Sequence, residues 1–162
     1  MLYPTRATYQ CVPEEMRHPR VKRWVCFQCI PQPDGKISKH PIHPTGRPAS
    51  ISDCRTWSNL DDCITATEWC VGNACGFALG SDYKMVFIDL DHCILSDGSI
   101  TPTAAKYIER LAPANPYIER SISGTGIHIF VWFTGTRPPI HPEPGVEMYT
   151  EGRFAVITGV PL

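Results

Sequence analysis

Residues 85–91 read Met-Val-Phe-Ile-Asp-Leu-Asp. Apolar except at Asp89 and Asp91, the run has the length and composition of a sheet strand. Alternation along a strand puts both carboxylates on one face, roughly 7 Å apart at Cα. Two acids so placed can chelate a divalent cation. Unpaired beside such an apolar run they would repel each other and resist desolvation, so a hard cation such as Mg²⁺ or Mn²⁺ is a natural compensation. The competing reading puts both acids beyond the strand end in solvent, capping the next turn. Acid-x-acid pairs are common, and this motif alone leaves the two readings even.

Upstream, Cys75 to Leu79 is a second short apolar run, separated from the first by Gly80-Ser81-Asp82-Tyr83-Lys84. The pair predicts a β-hairpin with a five-residue loop. Further back, Trp57, Leu60 and Ile64 recur at helical spacing, with Ser52 or Asp53 as the cap and a break at Gly72. Residues 22–30, KRWVCFQCI, read as a strand followed by a basic, proline-punctuated loop or irregular hairpin from Lys36 to Pro48. Downstream, Thr101-Pro102 makes an N-cap and first helical residue, and Ala105, Ile108, Leu111 and Ala112 supply a helical stripe. Strands then follow at 117–120, 127–133, 146–150 and 154–158, the first two joined by Ser123-Gly124-Thr125-Gly126. Hairpins mixed with packed helices predict an α+β domain with a mixed, mainly antiparallel sheet.

The chain has 162 residues, 43% of them hydrophobic, and of its 16 prolines none lies in 49–101. That length and composition predict one domain, residues 1–162, and exclude collagen, coiled coil and wholesale disorder. Residues 49–101 are the segments whose backbone donors must all stay available for regular pairing. No run approaches a membrane span, and Met1 to Gln10 lacks the basic-then-apolar pattern of a secretory signal, so a soluble, cytoplasmic protein is expected. The eight cysteines are then expected as reduced, mostly buried thiols. Net charge is −1, but residues 1–55 carry nine Lys and Arg against four acids, and the rest six against twelve. A basic front facing an acidic back suits phosphate binding beside metal binding, although charge clusters are more often solvated faces.

Three further features bear on chemistry. His128 is the polar member of an apolar strand, directly after a turn whose glycines let a phosphate approach backbone amides. Glu147 stands between Val146 and Met148 in the same manner. A lone strand histidine is usually structural and a strand glutamate usually exposed. Strands pairing in the expected order, however, would put Asp89, Asp91, His128 and Glu147 on one face.

In this order, these residues resemble the catalytic domain of the archaeo-eukaryotic primase superfamily, specifically the phage- and plasmid-type primase-polymerases. The resemblance spans about residues 22–159. It is carried by Lys39-His40-Pro41, Ala49-Ser50 to Asp53, Thr56-Trp57-Ser58, Gly76-Phe77-Ala78-Leu79, Ile88-Asp89-Leu90-Asp91, Glu119 to His128, Val146-Glu147-Met148-Tyr149 and Arg153-Phe154 to Thr158-Gly159. It implies a primase-polymerase fold with an RRM-like catalytic core, and Asp89, Asp91 and Glu147 holding two Mg²⁺ or Mn²⁺ ions. It also implies Ser123, Gly124, Gly126 and His128 at the phosphates of a dNTP or NTP, with Lys39 and Arg153 as further phosphate or template contacts. Glu119 is a second candidate acid, placed better for a supporting hydrogen bond. The implied activity is template-directed nucleotidyl transfer in phage or plasmid replication, on single-stranded DNA template and primer. Relatives usually continue into more α/β structure and often a helicase, so either a domain excised from a longer replication protein or a minimal family member is expected, with a helicase in cis or trans.

A net charge of −1 is weak for an independent grip on DNA. Cys26-x2-Cys29 and His40-x2-His43 approximate zinc-ligand spacing, but both intervals are short and residues three apart on a strand face opposite ways. Structural zinc is therefore not expected. Two other classes stay open: a metal-dependent nuclease using the same acids, and a noncatalytic nucleotide- or nucleic-acid-binding module.

Overall fold

The computed structural model describes residues 1–136 and 138–162. In chain order the elements are α1 (Glu14–Arg17), β1 (Trp24–Pro31), β2 (Ile37–Ile42), α2 (Leu60–Glu68), β3 (Ala74–Ala78), β4 (Met85–Leu90), α3 (Pro102–Leu111), β5 (Tyr117–Arg120), β6 (Ile127–Trp132), β7 (Val146–Tyr149) and β8 (Phe154–Ile157). The α+β class is as expected. The single mixed sheet is not: among the described residues the strands form two four-stranded sheets, ordered β2-β1-β3-β8 and β5-β6-β4-β7. Every strand pairing in them is antiparallel.

The 75–79 and 85–91 runs do not form the expected hairpin. β3 pairs with β1 and β8, whereas β4 pairs with β6 and β7, so the intervening loop crosses from one sheet to the other. Burial explains why. β3 is buried along its whole length and β4 is buried except at Asp89, so each needs partners on both edges and cover on both faces. The loop is fixed in its crossing path. Lys84 is left-handed at φ 50°, the Tyr83 hydroxyl donates to the Glu15 carbonyl at 2.6 Å, and Arg23 pairs with Asp82 while lying over the rings of Trp57 and Tyr83.

The α2 boundary also differs from expectation. Asp53 does cap, but only the 3-10 turn Cys54–Thr56, and Asn59 caps α2 by accepting from the Asp62 amide at 2.8 Å. Between them the backbone of Ser58 exchanges hydrogen bonds with Trp24 at 2.7 and 2.9 Å. That bridge extends Trp57–Ser58 and postpones the helix. The 36–48 stretch is a hairpin with β1, in which Lys39 stands opposite Cys29.

One core joins α2 to the first sheet and reaches Phe87 and Phe130 of the second; Trp24 and Phe77 meet in it edge to face at 5.2 Å. A second lies between α3 and the far face of β4 and β6, built from Val86, Ile88, Leu90, Ile127, Ile129 and Val131. Ala104 and Tyr107 form the buried face of α3 with Ile108 and Leu111 packed beside them, while Ala105 of the expected stripe is exposed. Burial of each such aromatic or branched side chain is worth roughly 1.5–3 kcal/mol. Cys26 and Cys29 pack into different core clusters, as opposite strand faces require.

Candidate functional site

Register brings the candidate residues into line. Glu119 of β5 stands opposite His128 of β6, His128 opposite Asp89 of β4, and Asp89 opposite Glu147 of β7. Directly paired residues share a face, so four polar side chains cross the second sheet in one row. The next row on that face is aromatic: Tyr117, Phe130, Phe87 and Tyr149. Phe87 stacks on Phe130 at 5.0 Å and receives the His128 ring edge-on at 5.1 Å. The aromatic floor dries the base of the polar row, which strengthens every electrostatic contact made there.

The four members differ in how far they are satisfied. Glu119 is 0% exposed, and four groups converge on it: His128 Nδ1 (3.2 Å) and the Thr158 amide (2.9 Å) at Oε1, the Tyr117 hydroxyl (2.8 Å) and the Gly159 amide (2.8 Å) at Oε2, the amides and the hydroxyl as donors. Burial, then the adjacent Glu119 charge, pushes the Tyr117 hydroxyl upward, so it remains a donor. Glu147 accepts from the Tyr149 hydroxyl at 2.7 Å and from Arg153 at 3.4 Å, and the Arg153 guanidinium lies 4.3 Å over the Tyr149 ring. Asp89 is different. Its Oδ1 faces His128 Nε2 at 3.6 Å, beyond hydrogen-bond range.

Asp91 lies one residue past β4, where its amide donates to the Gly145 carbonyl at 3.0 Å. Its carboxyl is pushed above the ordinary aspartate range, first by burial and then by the charges of Asp89 and Glu147. The three acids thus sit within one another's field. They are not a finished coordination sphere: among the described residues, no three His, Cys, Asp or Glu side chains are grouped so that they could hold a metal ion as they stand.

Across from this row is the first sheet. A cleft of ≈ 280 Å³ is walled by Asp89 and His128 on one side and by Phe27, Lys39 and Arg153 on the other. Lys39 of the basic front half therefore meets Asp89 of the acidic back half here. The expected turn residues Ser123, Gly124 and Gly126 are not part of that wall. They close the β5–β6 connection, where Gly124 is left-handed at φ 83° and Ser123 Oγ lies 2.9 Å from Ser121 Oγ and 3.0 Å from Thr125 Oγ1. A Cβ on Gly126 would stand 2.8 Å from the Leu90 carbonyl, so glycine is what lets the turn abut the end of the acid-bearing strand.

Sequence reasoning did not single out Ser121, whose Oγ accepts from the Gly126 amide at 3.0 Å, nor the two tyrosines that donate to Glu119 and Glu147. The signal for the tyrosines is present at period two: Tyr117-Ile118-Glu119 and Glu147-Met148-Tyr149 each place a hydroxyl beside a carboxylate on the same face. Ser121 carries no such signal, because its role depends on the turn closing.

No protein-family profile matches the chain. Over 147 residues it is 29% identical to the DNA primase-polymerase of Nitratiruptor phage NrS-1, an alignment that covers 86% of this chain and 19% of that protein. The chain spans about one fifth of the length of the curated relative it matches. The resemblance read from the residues is thereby borne out: across most of its own length, this chain is related to a phage DNA primase-polymerase.

Proposed function

We propose that this chain is a primase-polymerase catalytic domain with the archaeo-eukaryotic primase fold, carrying out template-directed nucleotidyl transfer from a dNTP or NTP. The observation that carries the reading is the in-register row Glu119, His128, Asp89, Glu147, whose His128 and Asp89 line one cleft with Lys39 and Arg153. Asp89, Asp91 and Glu147 would hold two Mg²⁺ or Mn²⁺ ions. Their fit rests on chemistry: all three offer hard oxygens, and the burial and then the neighbouring charges that raise Asp91 are costs a cation relieves. Magnesium typically takes one or two carboxylates and completes its shell with substrate phosphates and water, so an open set of acids suits it better than a closed cage. When bound, such ions supply activation of the attacking hydroxyl and neutralisation of the triphosphate.

The side chains of the chain do the rest. Lys39 and Arg153 bring positive charge to the wall opposite the acids, where a triphosphate would be drawn in and oriented. The Phe87 and Phe130 rings exclude water beneath it. Single-stranded template, primer and a helicase partner belong to the same proposal, as does a place in phage or plasmid replication inside the infected cell. A net charge of −1 is weak for an independent grip on DNA, so DNA contacts from outside this domain belong to the proposal as well. Among the described residues no helix is long and apolar enough to cross a membrane.

The test is primer extension and dinucleotide synthesis with dNTPs or NTPs and Mg²⁺ or Mn²⁺, on this chain and on the longer protein. Incorporation that disappears in Asp89→Ala/Asp91→Ala supports the reading. Incorporation that survives the double change, or none by the intact longer protein, overturns it. A parallel incubation of labelled DNA without nucleotides reveals a nuclease by cleavage.

A further inference from the structure

Glu119 belongs to β5 of the second sheet, yet half of its hydrogen bonds go to the chain leaving β8 of the first, at the amides of Thr158 and Gly159. The same junction is held from the other side by Thr158 Oγ1 donating to the Arg120 carbonyl at 2.7 Å. One buried carboxylate therefore ties together the two walls of the cleft. Its remaining donors are the Tyr117 hydroxyl and His128 Nδ1. Two backbone amides donate to Glu119, one to each oxygen, and a carboxylate so held only accepts, so the ring nitrogen 3.2 Å away is the donor of that pair.

That places the proton of the His128 ring. The ring is 2% exposed and packs edge-on to Phe87. With Nδ1–H given to Glu119, the other nitrogen, Nε2, points to Asp89 at a distance too long for a hydrogen bond. Among the described residues no fully buried side-chain nitrogen or oxygen lacks a partner, so Nε2 keeps an accessible face, and the cleft is the space that His128 lines. We propose that Glu119 is the positioning residue of this site: it holds the His128 proton on Nδ1, presents Nε2 to the cleft, and through Thr158 and Gly159 sets the opposite wall at a fixed spacing from that atom. Glu119 touches no reactant itself, so its effect on transfer, which rests on the proposed function, is exerted through His128 and the wall.

The experiment has one arm that needs no activity. Long-range ¹H–¹⁵N spectra of the full chain labelled at histidine, with His128 assigned by its absence in His128→Asn, report which ring nitrogen carries the proton. A protonated Nδ1 is expected, and a ring with Nδ1 unprotonated overturns the proposal whether or not the protein incorporates nucleotides. In the second arm, Glu119→Gln offers one acceptor oxygen to four donors, and kcat for incorporation is expected to fall roughly 10–100-fold, the usual effect of losing a partner behind a working histidine. Tyr117→Phe removes a donor from the same carboxylate without touching the ring, and should keep the Nδ1 proton and activity within about twofold. Equal losses in the two variants would mark Glu119 as a structural anchor only and sink the positioning role. A wild-type protein with a protonated Nδ1 but no incorporation would instead count against the proposed function and leave the geometry of His128 intact.

Discussion

The two sheets share strand number and antiparallel pairing but spend their central strands differently. In the first, β3 is buried at all five positions and apolar on both faces, and its charged contributions to the cleft come from the periphery, Lys39 on the edge strand β2 and Arg153 just ahead of β8. In the second, the polar row runs through the middle, across β6 and β4. A sheet centre tolerates ionisable groups only where hydrogen bonds satisfy them or water can reach them. Hydrogen bonding then separates the acids by role. Glu119 receives four donors, Glu147 receives a hydroxyl and a guanidinium, and among the described residues the side chains of Asp89 and Asp91 accept no hydrogen bond. The fully bonded Glu119 holds the architecture, Asp89 and Asp91 keep their lone pairs for a ligand, and Glu147, hydrogen-bonded among the described residues only through Oε2, stands between the two.

The sharpest break in this comparison is Asp89→Asn or Asp91→Asn, each of which keeps volume and removes the charge. Incorporation should fall roughly 10²–10⁴-fold, the scale of several kcal/mol of charge stabilisation, while thermal unfolding changes little or rises slightly. Next comes the first sheet, where Phe77→Ala should cost about 3–5 kcal/mol in denaturant unfolding, because the ring is fully buried against Trp24 and Tyr83. A change that unfolds one sheet and a change that silences the other would confirm their division of labour. Lys39→Ala probes the periphery: KM for the nucleotide should rise roughly tenfold with kcat less affected, since an exposed side chain contributes attraction rather than shape.

The smallest expected effect is one of pH. Arg6 makes two bonds of 2.9 Å to Glu68 at the end of α2, and that hydrogen bonding holds the Glu68 carboxyl below its ordinary value of 4.5. A depressed folded value means the contribution is present above 4.5 and is lost as pH falls through the folded value. Urea midpoints of wild type and Arg6→Ala should therefore differ slightly at neutral pH and converge in acid. Both residues are half exposed, so a large gap between the midpoints would contradict the view that the first sheet is held by its core.

Much of this arrangement was legible from strand alternation. Asp89, His128 and Glu147 each interrupt an apolar run, and the assumption that their strands are neighbours was enough to expect them on one face, although the sheet order, β5-β6-β4-β7, is not chain order. The Thr101-Pro102 helix start was equally local. What could not be read depended on partners distant in sequence. Nothing in Gly80 to Lys84 distinguishes a hairpin loop from a crossing; the decision lies with Arg23 and Glu15, some sixty residues earlier, which hold Asp82 and Tyr83. The start of α2 was missed because Ser58 answers to Trp24. Glu119 looked like a strand acid before a turn, and its importance came from Thr158 and Gly159, supplied by the other sheet.

The alternation on β4 has a consequence for folding fidelity. Val86, Ile88 and Leu90 fill the layer beneath α3, while Phe87 and Asp89 look toward the cleft. A slip of one residue would exchange the two sets and press a carboxylate into the apolar layer while stranding branched side chains in the cleft. Such a molecule could neither pack nor work, so the register that fills the layer beneath α3 is also the one that forms the site. The site proofreads its own assembly.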